Sequence, residues 1–341
     1  MKSYRTRAGL PTPIAGTTHV RVRQVGKPKS SDDCESRSMS ISILPVTADF
    51  VAEVGDIDLQ QQLQSEDLSA IGRAFATYAV LVFPAQSLTV EQRLAFAAHF
   101  GPPEETVDVA MKRDRLRVRR EIADVANMDA DGKIWAQDSR ARQFQMMGNR
   151  LWHTDSSFKA PSGYASLLYA RSIAPIGGNT EFADLRAAFD ALPDVMKRRV
   201  QGLIAEHSIL FSRKKLGLTD FTDAERQAFA PVLRPLVRTI PESGRQTLYI
   251  ASHVGRIVGL TDAESLTLLD QLTAHATQRQ FVYPHRWRVG DLVMWDNRCT
   301  MHRGKEFDDL RWPRDLQRAT TSDRIGAFGT VESVGAAATN Y

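Results

Sequence analysis

The sequence of 341 residues is poor in cysteine, with only Cys34 and Cys299. Two cysteines cannot form a disulfide framework or an all-thiolate metal site, and their scarcity is typical of a reducing cytoplasm. No apolar run approaches the roughly 18 residues that cross a bilayer, and the N-terminal residues lack the apolar segment of a secretory signal. We therefore predict a cytoplasmic protein with no membrane partner, in which Cys299 is a small packed side chain.

The chain also lacks a strong excess of charge of one sign, since 44 Lys and Arg stand against 40 Asp and Glu and give +4. Residues 1–38 contain eight basic and three acidic residues, a charge of +5, which leaves −1 for residues 39–341. Because the basic character belongs to this short segment, global charge does not argue for a nucleic-acid partner. The segment is polar and rich in Pro, Gly and Ser, so we predict that it is disordered.

Met39 opens the part of the chain that has hydrophobic patterning. Residues 40–46 alternate between polar and apolar side chains, which predicts a strand. We hypothesise that Met39 is the natural start and that residues 1–38 derive from an upstream start codon. Residues 39–330 are predicted to form a single domain, followed by a flexible tail at 331–341.

A His-x-Asp pair followed by a distant histidine is the most informative motif. His153 and Asp155 would point to the same side of a strand, where both could chelate one ion. His302 lies 147 residues beyond Asp155, so a sheet must bring distant strands together. Two imidazoles and one carboxylate form the facial triad of non-haem Fe(II) oxygenases. Taken alone, the pair is weak evidence for a metal site and is more typical of a partly buried histidine hydrogen-bonded to its neighbours.

The sequence around these residues resembles one family of oxygenases. The segments that carry the resemblance are NRLWHTDSSF at 149–158, GGNTEFAD at 177–184 and WDNRCTMHR at 295–303. They resemble the taurine dioxygenase / 2,4-dichlorophenoxyacetate dioxygenase family of Fe(II)/2-oxoglutarate oxygenases, in the family's order and nearly its spacing, from about Ile41 to Gly326. The resemblance implies an enzyme that uses Fe(II), 2-oxoglutarate and O₂, with His153, Asp155 and His302 as catalytic metal ligands.

The resemblance also implies how 2-oxoglutarate and the substrate are held. Arg314 and Arg318 match two arginines four residues apart beyond the second histidine. Arg314 would bind the distal carboxylate of 2-oxoglutarate together with Thr180, and Arg318 would bind the anionic group of the substrate. Because the interval from His302 is one residue longer than expected, Arg311 is an alternative to Arg314.

Asn149 is a further candidate for substrate contact. A turn-forming Asn is an equally good interpretation of this residue. The six histidines outside the triad are interpreted as surface or hydrogen-bonded core residues, with His207 or His253 lining the pocket as the alternative. These six are His19, His99, His207, His253, His275 and His285. Trp152 and Trp295 are predicted core aromatics.

The segments LWHTDSSF and GGNTEFADLRAAFDALP look closer to the phenoxyalkanoate branch than to the sulfonate branch. We therefore expect ether cleavage of an aryloxyalkanoate such as 2,4-dichlorophenoxyacetate, giving a phenol and glyoxylate together with succinate and CO₂. Taurine or an alkylsulfonate is the alternative substrate, and an unrelated natural carboxylate also fits. From other classes, a non-catalytic cupin-like binding protein and a zinc hydrolase stay open; the hydrolase would need a positioned general base. We also expect a homo-oligomer.

Hydrophobic periodicity predicts a mixed fold. Helices are predicted at 66–78, 185–206 and 261–277. Strands are predicted at 79–84, within 164–184 on either side of a Gly-Gly turn, and within 279–302. Thr89 is a candidate N-cap of a further helix, and Thr261 and Asp262 are candidates for the helix at 261–277. Strand, helical insert and strand in one metal-bearing unit predict a mainly β fold with helical insertions and a double-stranded β-helix (jelly roll) core.

Residues 104–148 form a long polar connection with weak periodicity, which is typical of a functional lid. The connection contains the basic residues Lys112, Arg113, Arg115, Arg117, Arg119 and Arg120. A solvated strand or loop edge is the preferred interpretation, and steering of an anionic substrate is the alternative. Nucleic-acid binding is not favoured because no aromatic stacking platform accompanies the run.

Overall fold

The structure, a computed structural model, describes residues 41–110 and 116–323. Among these residues the strands are β1 (Ser42–Pro45), β2 (Val51–Gly55), β3 (Val80–Phe83), β4 (Ile122–Asp124), β5 (Gly163–Ser172), β6 (Thr180–Asp184), β7 (Ile204–His207), β8 (Val232–Pro235), β9 (Val237–Thr239), β10 (Gln246–Leu248), β11 (Val254–Ile257), β12 (Val282–His285), β13 (Leu292–Asp296), β14 (Thr300–Gly304) and β15 (Asp315–Ser322). The helices are α1 (Ser65–Tyr78), α2 (Val90–Ala98), α3 (Val107–Ala110), α4 (Arg140–Arg142), α5 (Gly148–Arg150), α6 (Leu185–Asp190), α7 (Asp194–Val200), α8 (Ile209–Lys214), α9 (Asp223–Ala228) and α10 (Asp262–Ala276).

Some of the predictions concern residues outside these ranges. They are the disordered segment 1–38 with His19 and Cys34, the start at Met39, the tail at 331–341, and Lys112, Arg113 and Arg115 of the basic run. No helix of the described ranges is both long and apolar enough to cross a membrane.

The largest sheet has seven strands in the order β1-β2-β3-β13-β5-β15-β4. Its neighbours are antiparallel except for β2 and β3. All five side chains of β13 are buried because strands flank it on both sides and other elements cover both faces. The long strand β15, which carries Arg318, pairs with β5 on one side and with the edge strand β4 on the other.

A smaller sheet, in the order β12-β6-β14, faces the large one. The chain passes repeatedly between the two sheets, since β5, β13 and β15 belong to the large sheet while β6, β12 and β14 belong to the small one. A single antiparallel bridge between His153 and His302 extends the small sheet beyond β14. This bridge brings together the two predicted histidine ligands, so the expectation that a sheet joins these distant residues is confirmed.

The core between the sheets is apolar and aromatic. Phe182 of the small sheet packs against Trp295 of the large sheet, with ring centroids 5.3 Å apart. Val80 and Val82 of β3 join this core, whereas the alternate residues of the strand face the helices α1 and α2. Because both faces of the large sheet are covered, β3 is a continuous apolar run rather than an alternating one.

An insertion that contains both helices and strands lies between β6 and β12. Its core is built from α6, α7, α10 and the strands β7, β10 and β11. The prediction of helix over 185–206 is correct for α6 and α7 but wrong for residues 204–206, which begin β7. Pairing with β8 and β11 overrides the local helical spacing there. Likewise, residues 279–281 form one 3₁₀ turn ahead of β12 rather than a strand.

The predicted helix starts are confirmed where side chains can cap them. Thr89 accepts a hydrogen bond from the backbone of Gln92, whose side chain accepts from the backbone of Thr89. Thr261 forms the same reciprocal capping box with Glu264 at the start of α10. Asp262, the alternative cap, lies inside the first turn of the helix. Each box satisfies backbone N–H groups that the helix itself leaves unpaired.

The polar segment 104–148 contains α3, β4 and most of a helical stretch formed by α4, the π-helical turn Gln143–Met147 and α5. Its strand β4 pairs with β15 at the edge of the large sheet. Arg117 is not the solvated residue that the basic run predicts, because it pairs with Asp124 and Asp315 and its side chain is 16% exposed. Arg119 and Arg120 lie at the surface in exposed ion pairs, as expected.

Candidate metal centre and adjoining cavities

His153, Asp155 and His302 come together as a buried group in which the possible ligand atoms all lie within 4.8 Å of one another. The distance from His153 Nε2 to Asp155 Oδ1 is 3.8 Å, and His302 Nε2 is also 3.8 Å from the other carboxylate oxygen, Oδ2. The two imidazole centroids are 4.2 Å apart. Three donor atoms converge on one small volume, which is the arrangement that a single metal ion needs.

Local backbone structure explains this convergence. His153 pairs with β14 through its single bridge, with 3.0 Å between its N and His302 O. Asp155 belongs to the turn that follows, so the expectation of a regular strand across 153–155 is wrong. Ser156 adopts a left-handed conformation with φ of 53°, and Gly163 leaves no room for a side chain, since a Cβ there would lie 2.9 Å from Asp155 O.

Hydrogen bonds fix the orientation of both residues of the His-x-Asp pair. His153 Nδ1 lies 2.7 Å from Leu151 O, and because a carbonyl only accepts, this nitrogen carries the proton and leaves Nε2 free to bind a metal. Asp155 Oδ2 accepts from Ser166 Oγ at 2.7 Å. Asn297 accepts from the Asp155 backbone N–H and donates to the same Ser166 hydroxyl. Neither Ser166 nor Asn297 is among the site residues predicted from the sequence, although Asn297 lies within the family-like segment 295–303.

The electrostatics of the group favour metal ligation. Burial lowers the pKa of His153 and lowers the pKa of His302 well below its ordinary value, so both imidazoles are neutral at pH 7. Burial alone would raise the pKa of Asp155, but Arg318 and the two histidines hold it below its ordinary value. The group therefore offers two neutral nitrogens and one carboxylate, which are the protonation states of metal ligands.

Arg318 lies beside the carboxylate of the triad. Its Nη1 is 2.7 Å from Asp155 Oδ1, and its side chain is 17% exposed. It lines both of the cavities that adjoin the triad, and so do Asn149, His153 and Val125. The arginine predicted to bind the substrate anion therefore stands where the two cavities meet, in contact with a triad residue.

The first cavity, named here the Arg314 cavity, is lined by Thr180, His302, Arg314 and Phe307 in addition to the shared residues. Arg314 is buried, and burial lowers its pKa to about 10, so it is charged at pH 7. Arg311, the alternative, is exposed and lies over the ring of Trp312. Arg314 and not Arg311 therefore faces the triad.

Thr180 is oriented within the same cavity by a tryptophan. Trp287 Nε1 donates to Thr180 Oγ1 at 2.9 Å. Because this bond uses a lone pair of the hydroxyl, the proton of Thr180 is available to a ligand in the cavity. Gly178, with φ of 72°, turns the chain beside the guanidinium, and its carbonyl accepts from Arg314 Nη2 at 3.2 Å.

The second cavity, named here the His253 cavity, has aromatic and aliphatic walls formed by Phe144, Phe158, Ile209 and the ring of His253. The His253 ring lies 5.0 Å from Phe158 and 5.8 Å from His153. His253 therefore lines the pocket, in agreement with the alternative interpretation of this histidine. Residues of the segment 104–148 close one side of this cavity.

The other candidate residues lie partly beside the cavities and partly in the core. Asn149 lies in α5 rather than in a turn, and it borders both cavities. His207 is not in either cavity; it is buried against Tyr249. His275 and His285 hydrogen-bond to Ala188 O and Asp291, as expected of core histidines. Cys299 is buried in the core between the sheets, where burial raises the pKa of its thiol.

A carboxylate with two histidines, open on the side of two cavities, defines a centre of the 2-His-1-carboxylate class found in non-haem iron oxygenases. Comparison with family models gives the particular family: residues 42–320 match the model described as "Taurine catabolism dioxygenase TauD, TfdA family", and the chain belongs to this family. The family predicted from the sequence is therefore confirmed, and with it the enzyme class, an alpha-ketoglutarate-dependent (2-oxoglutarate-dependent) dioxygenase.

Individual relatives give finer detail. The chain is 46% identical over 288 residues to the alpha-ketoglutarate-dependent 2,4-dichlorophenoxyacetate dioxygenase of Cupriavidus pinatubonensis, covering 84% of this chain and 99% of that protein. It is 38% identical over 278 residues to the (S)-phenoxypropionate/alpha-ketoglutarate-dioxygenase of Sphingobium herbicidovorans, covering 80% and 91%. The crystal structure of AAD-2 in complex with Mn(II) and N-oxalylglycine is similar at a TM-score of 0.79 and 45% identity, covering 83% of this chain and 98% of that one. The likeness to the phenoxyalkanoate branch is thus confirmed.

Proposed function

We propose that the protein is an Fe(II)- and 2-oxoglutarate-dependent dioxygenase that cleaves the ether bond of an aryloxyalkanoate. His153, Asp155 and His302 would hold the iron. The donor set fits this metal, because the ligand atoms converge, the imidazoles are neutral and the His153 tautomer leaves Nε2 free. Bound iron would supply the activation of O₂ that the protein's own side chains cannot provide.

The Arg314 cavity suits 2-oxoglutarate. A dicarboxylate that reaches from the triad into this cavity meets a buried, charged guanidinium and the available proton of Thr180. Arg314 and Thr180 would therefore bind its distal carboxylate, and burial of the arginine strengthens the charged hydrogen bond. N-oxalylglycine, the ligand in the AAD-2 complex, is likewise a dicarboxylate, which supports this proposal.

The His253 cavity suits the substrate. The observation that carries the proposal is the position of Arg318, a cation that contacts the triad and lines a cavity walled by Phe144 and Phe158. A carboxylate on Arg318 would place the adjacent carbon of the substrate near the triad and its aromatic ring between apolar walls. Hydroxylation of that carbon gives a hemiacetal that collapses to a phenol and glyoxylate. Relatives named for 2,4-dichlorophenoxyacetate and phenoxypropionate favour this class over taurine or an alkylsulfonate.

The scaffold proposals follow from the topology. We infer that the two facing sheets form a double-stranded β-helix, which the repeated passage of the chain between them supports. We infer also that the segment 104–148 acts as a lid, supported by the contribution of Glu104, Thr106, Val107 and Phe144 to the walls of the His253 cavity. Exclusion of water by such a lid would protect the reaction. The homo-oligomeric state and the cytoplasmic location stay predictions.

The test is a coupled assay. Anaerobic protein is loaded with Fe(II) and 2-oxoglutarate, O₂ and 2,4-dichlorophenoxyacetate are added, and succinate and phenol are measured together. Equal production of both is expected. Succinate without phenol would reject the substrate and keep the enzyme class. Succinate formation that rises when taurine is added, and not when 2,4-dichlorophenoxyacetate is added, would favour the alternative. Absence of succinate from folded, iron-loaded protein would contradict the proposed function.

A further inference from the structure

Glu104 is held beside the proposed substrate arginine by the backbone. Its N–H donates to Thr320 O at 2.9 Å, and the next bridge outward joins Pro103 to Thr321. Thr320 is two residues beyond Arg318 on β15, so both side chains project from the same face of the strand. Glu104, Thr320 and Arg318 accordingly all line the His253 cavity.

The carboxylate of Glu104 is anchored through one of its two oxygens. Oε1 accepts a hydrogen bond from Ser156, the residue that follows the triad aspartate, and lies 3.1 Å from Lys159 Nζ. Lys159 is fixed in turn by donation to the backbone carbonyl of Glu105. With Ser156 and Lys159 on one oxygen, the rotation of the carboxylate is set.

The other oxygen, Oε2, is buried and has no hydrogen-bond partner among the described residues. The Glu104 side chain is 11% exposed, so bulk water satisfies this oxygen poorly. Burial raises the pKa of Glu104, while the charge of Lys159 and the hydrogen bond from Ser156 oppose that shift. A buried carboxylate oxygen without a donor is costly unless a ligand supplies one.

We propose that Glu104 is a specificity-determining residue whose free oxygen accepts a hydrogen bond from a hydroxyl or N–H group on the aromatic ring of the substrate. The inference rests on the proposed function, because the carboxylate of the same substrate lies on Arg318. Within the proposed substrate class, it makes aryloxyalkanoates with a ring hydrogen-bond donor the preferred members. A ring that carries only halogens leaves the oxygen desolvated and unpaired, and a site built for a donor discriminates against a ligand that lacks it.

The test compares two series of substrates that differ in one ring substituent, the three monohydroxyphenoxyacetates and the three monochlorophenoxyacetates. The variant is Glu104→Gln, whose amide oxygen keeps the contacts with Ser156 and Lys159 while an NH₂ group replaces the free acceptor. The matched control is Glu105→Gln, since Glu105 carries the same charge, is exposed and pairs with Arg120. For each protein, kcat/KM is obtained from glyoxylate and succinate, and affinity from calorimetric titration of anaerobic protein loaded with Fe(II) and 2-oxoglutarate.

In the unmodified protein we expect at least one hydroxyl isomer to bind and react better than its chloro counterpart. In Glu104→Gln this preference should fall by about tenfold, the value of one hydrogen bond to a charged group, in both kcat/KM and affinity. The ratio in Glu105→Gln should be unchanged. Two results would overturn this inference alone, provided that all proteins turn over. One is a hydroxyl-to-chloro ratio in Glu104→Gln equal to that of the unmodified protein. The other is an equal shift of this ratio in Glu105→Gln. Absence of binding and turnover with every member of both series would overturn the proposed function and this inference with it.

Discussion

Arg318 and Asp155 form a direct ion pair, with 2.7 Å between Nη1 and Oδ1. The residue proposed to bind the substrate anion thus contacts a residue proposed to bind the metal. A buried carboxylate without a cation is costly, and before any ligand enters Arg318 supplies the compensating charge for Asp155. Metal binding supplies a second cation to Asp155, and it thereby leaves Arg318 better able to attract a substrate carboxylate. Metal and substrate are therefore expected to bind cooperatively.

Replacing Arg318 by Gln tests this linkage through stability. Without metal, Arg318→Gln leaves the Asp155 carboxylate unpaired, and we expect the free energy of unfolding to fall by about 3 kcal/mol. Saturating Mn(II), which is not oxidised by the assay, should restore part of that loss because the ion replaces the missing charge. Denaturant unfolding with and without Mn(II) measures both values. The control is Arg303→Gln, because its partner Glu181 is more exposed than Asp155. An equal loss of unfolding free energy in Arg303→Gln would contradict the linkage. A loss in Arg318→Gln that Mn(II) leaves unchanged would contradict it as well.

Arg314 and Arg311 are predicted to differ sharply in their effect on 2-oxoglutarate. Arg314→Ala removes a buried, charged donor from the Arg314 cavity, so KM for 2-oxoglutarate should rise by about tenfold or more. Arg311→Ala removes an exposed guanidinium over Trp312 and should leave KM unchanged. Steady-state succinate formation with varied 2-oxoglutarate measures both. A larger effect for Arg311→Ala would reverse the assignment of the two arginines.

Thr180 should contribute less than Arg314 to the binding of 2-oxoglutarate, because its neutral hydroxyl is a weaker hydrogen-bond donor than the charged guanidinium. Thr180→Val keeps the shape and removes the hydroxyl, and we expect KM for 2-oxoglutarate to rise by about fivefold. Trp287→Phe removes only the N–H that orients this hydroxyl. Its effect should be in the same direction and smaller, and the effects of the two substitutions in one protein should not add. Additive effects would mean that Trp287 acts independently of Thr180.

Metal content tests the triad directly. His153→Ala and His302→Ala each remove one of two imidazoles, so the purified proteins should hold little iron after anaerobic loading and desalting, and succinate formation should be lost. Elemental analysis measures the bound iron, and circular dichroism checks that each variant is folded. His99→Ala, at an exposed position, is the matched control and should keep full loading. Full loading of a folded His302→Ala protein would remove that residue from the ligand set.

The sequence predicts the triad well because its pattern combines local spacing with residue types that few structural roles require. Thr180 and Arg314 are assigned by the family resemblance, and the fold brings both to one cavity, where their role stays a prediction. Glu104 is different, because its position beside Arg318 is created by backbone pairing across more than two hundred residues. His253 could be named only as an alternative for the same reason. Local pattern identifies ligands, whereas the residues that shape a cavity depend on tertiary contacts.

His207 provides a test of the buried electrostatics away from the site. Both ring nitrogens are buried without a hydrogen-bond partner among the described residues, the ring stacks on Tyr249, and burial holds the pKa of His207 well below its ordinary value. The unfolded chain takes up a proton near pH 6.5 and the folded protein does not, so this residue reduces stability as pH falls below about 6.5 and has no such effect above it. His207→Phe removes that penalty, and between pH 7.5 and 5.5 the variant should gain about 1.4 kcal/mol relative to the unmodified protein. Denaturant unfolding at the two pH values measures the gain. An equal pH dependence of His207→Phe and the unmodified protein would contradict this account, because it would mean that His207 is protonated in the folded protein.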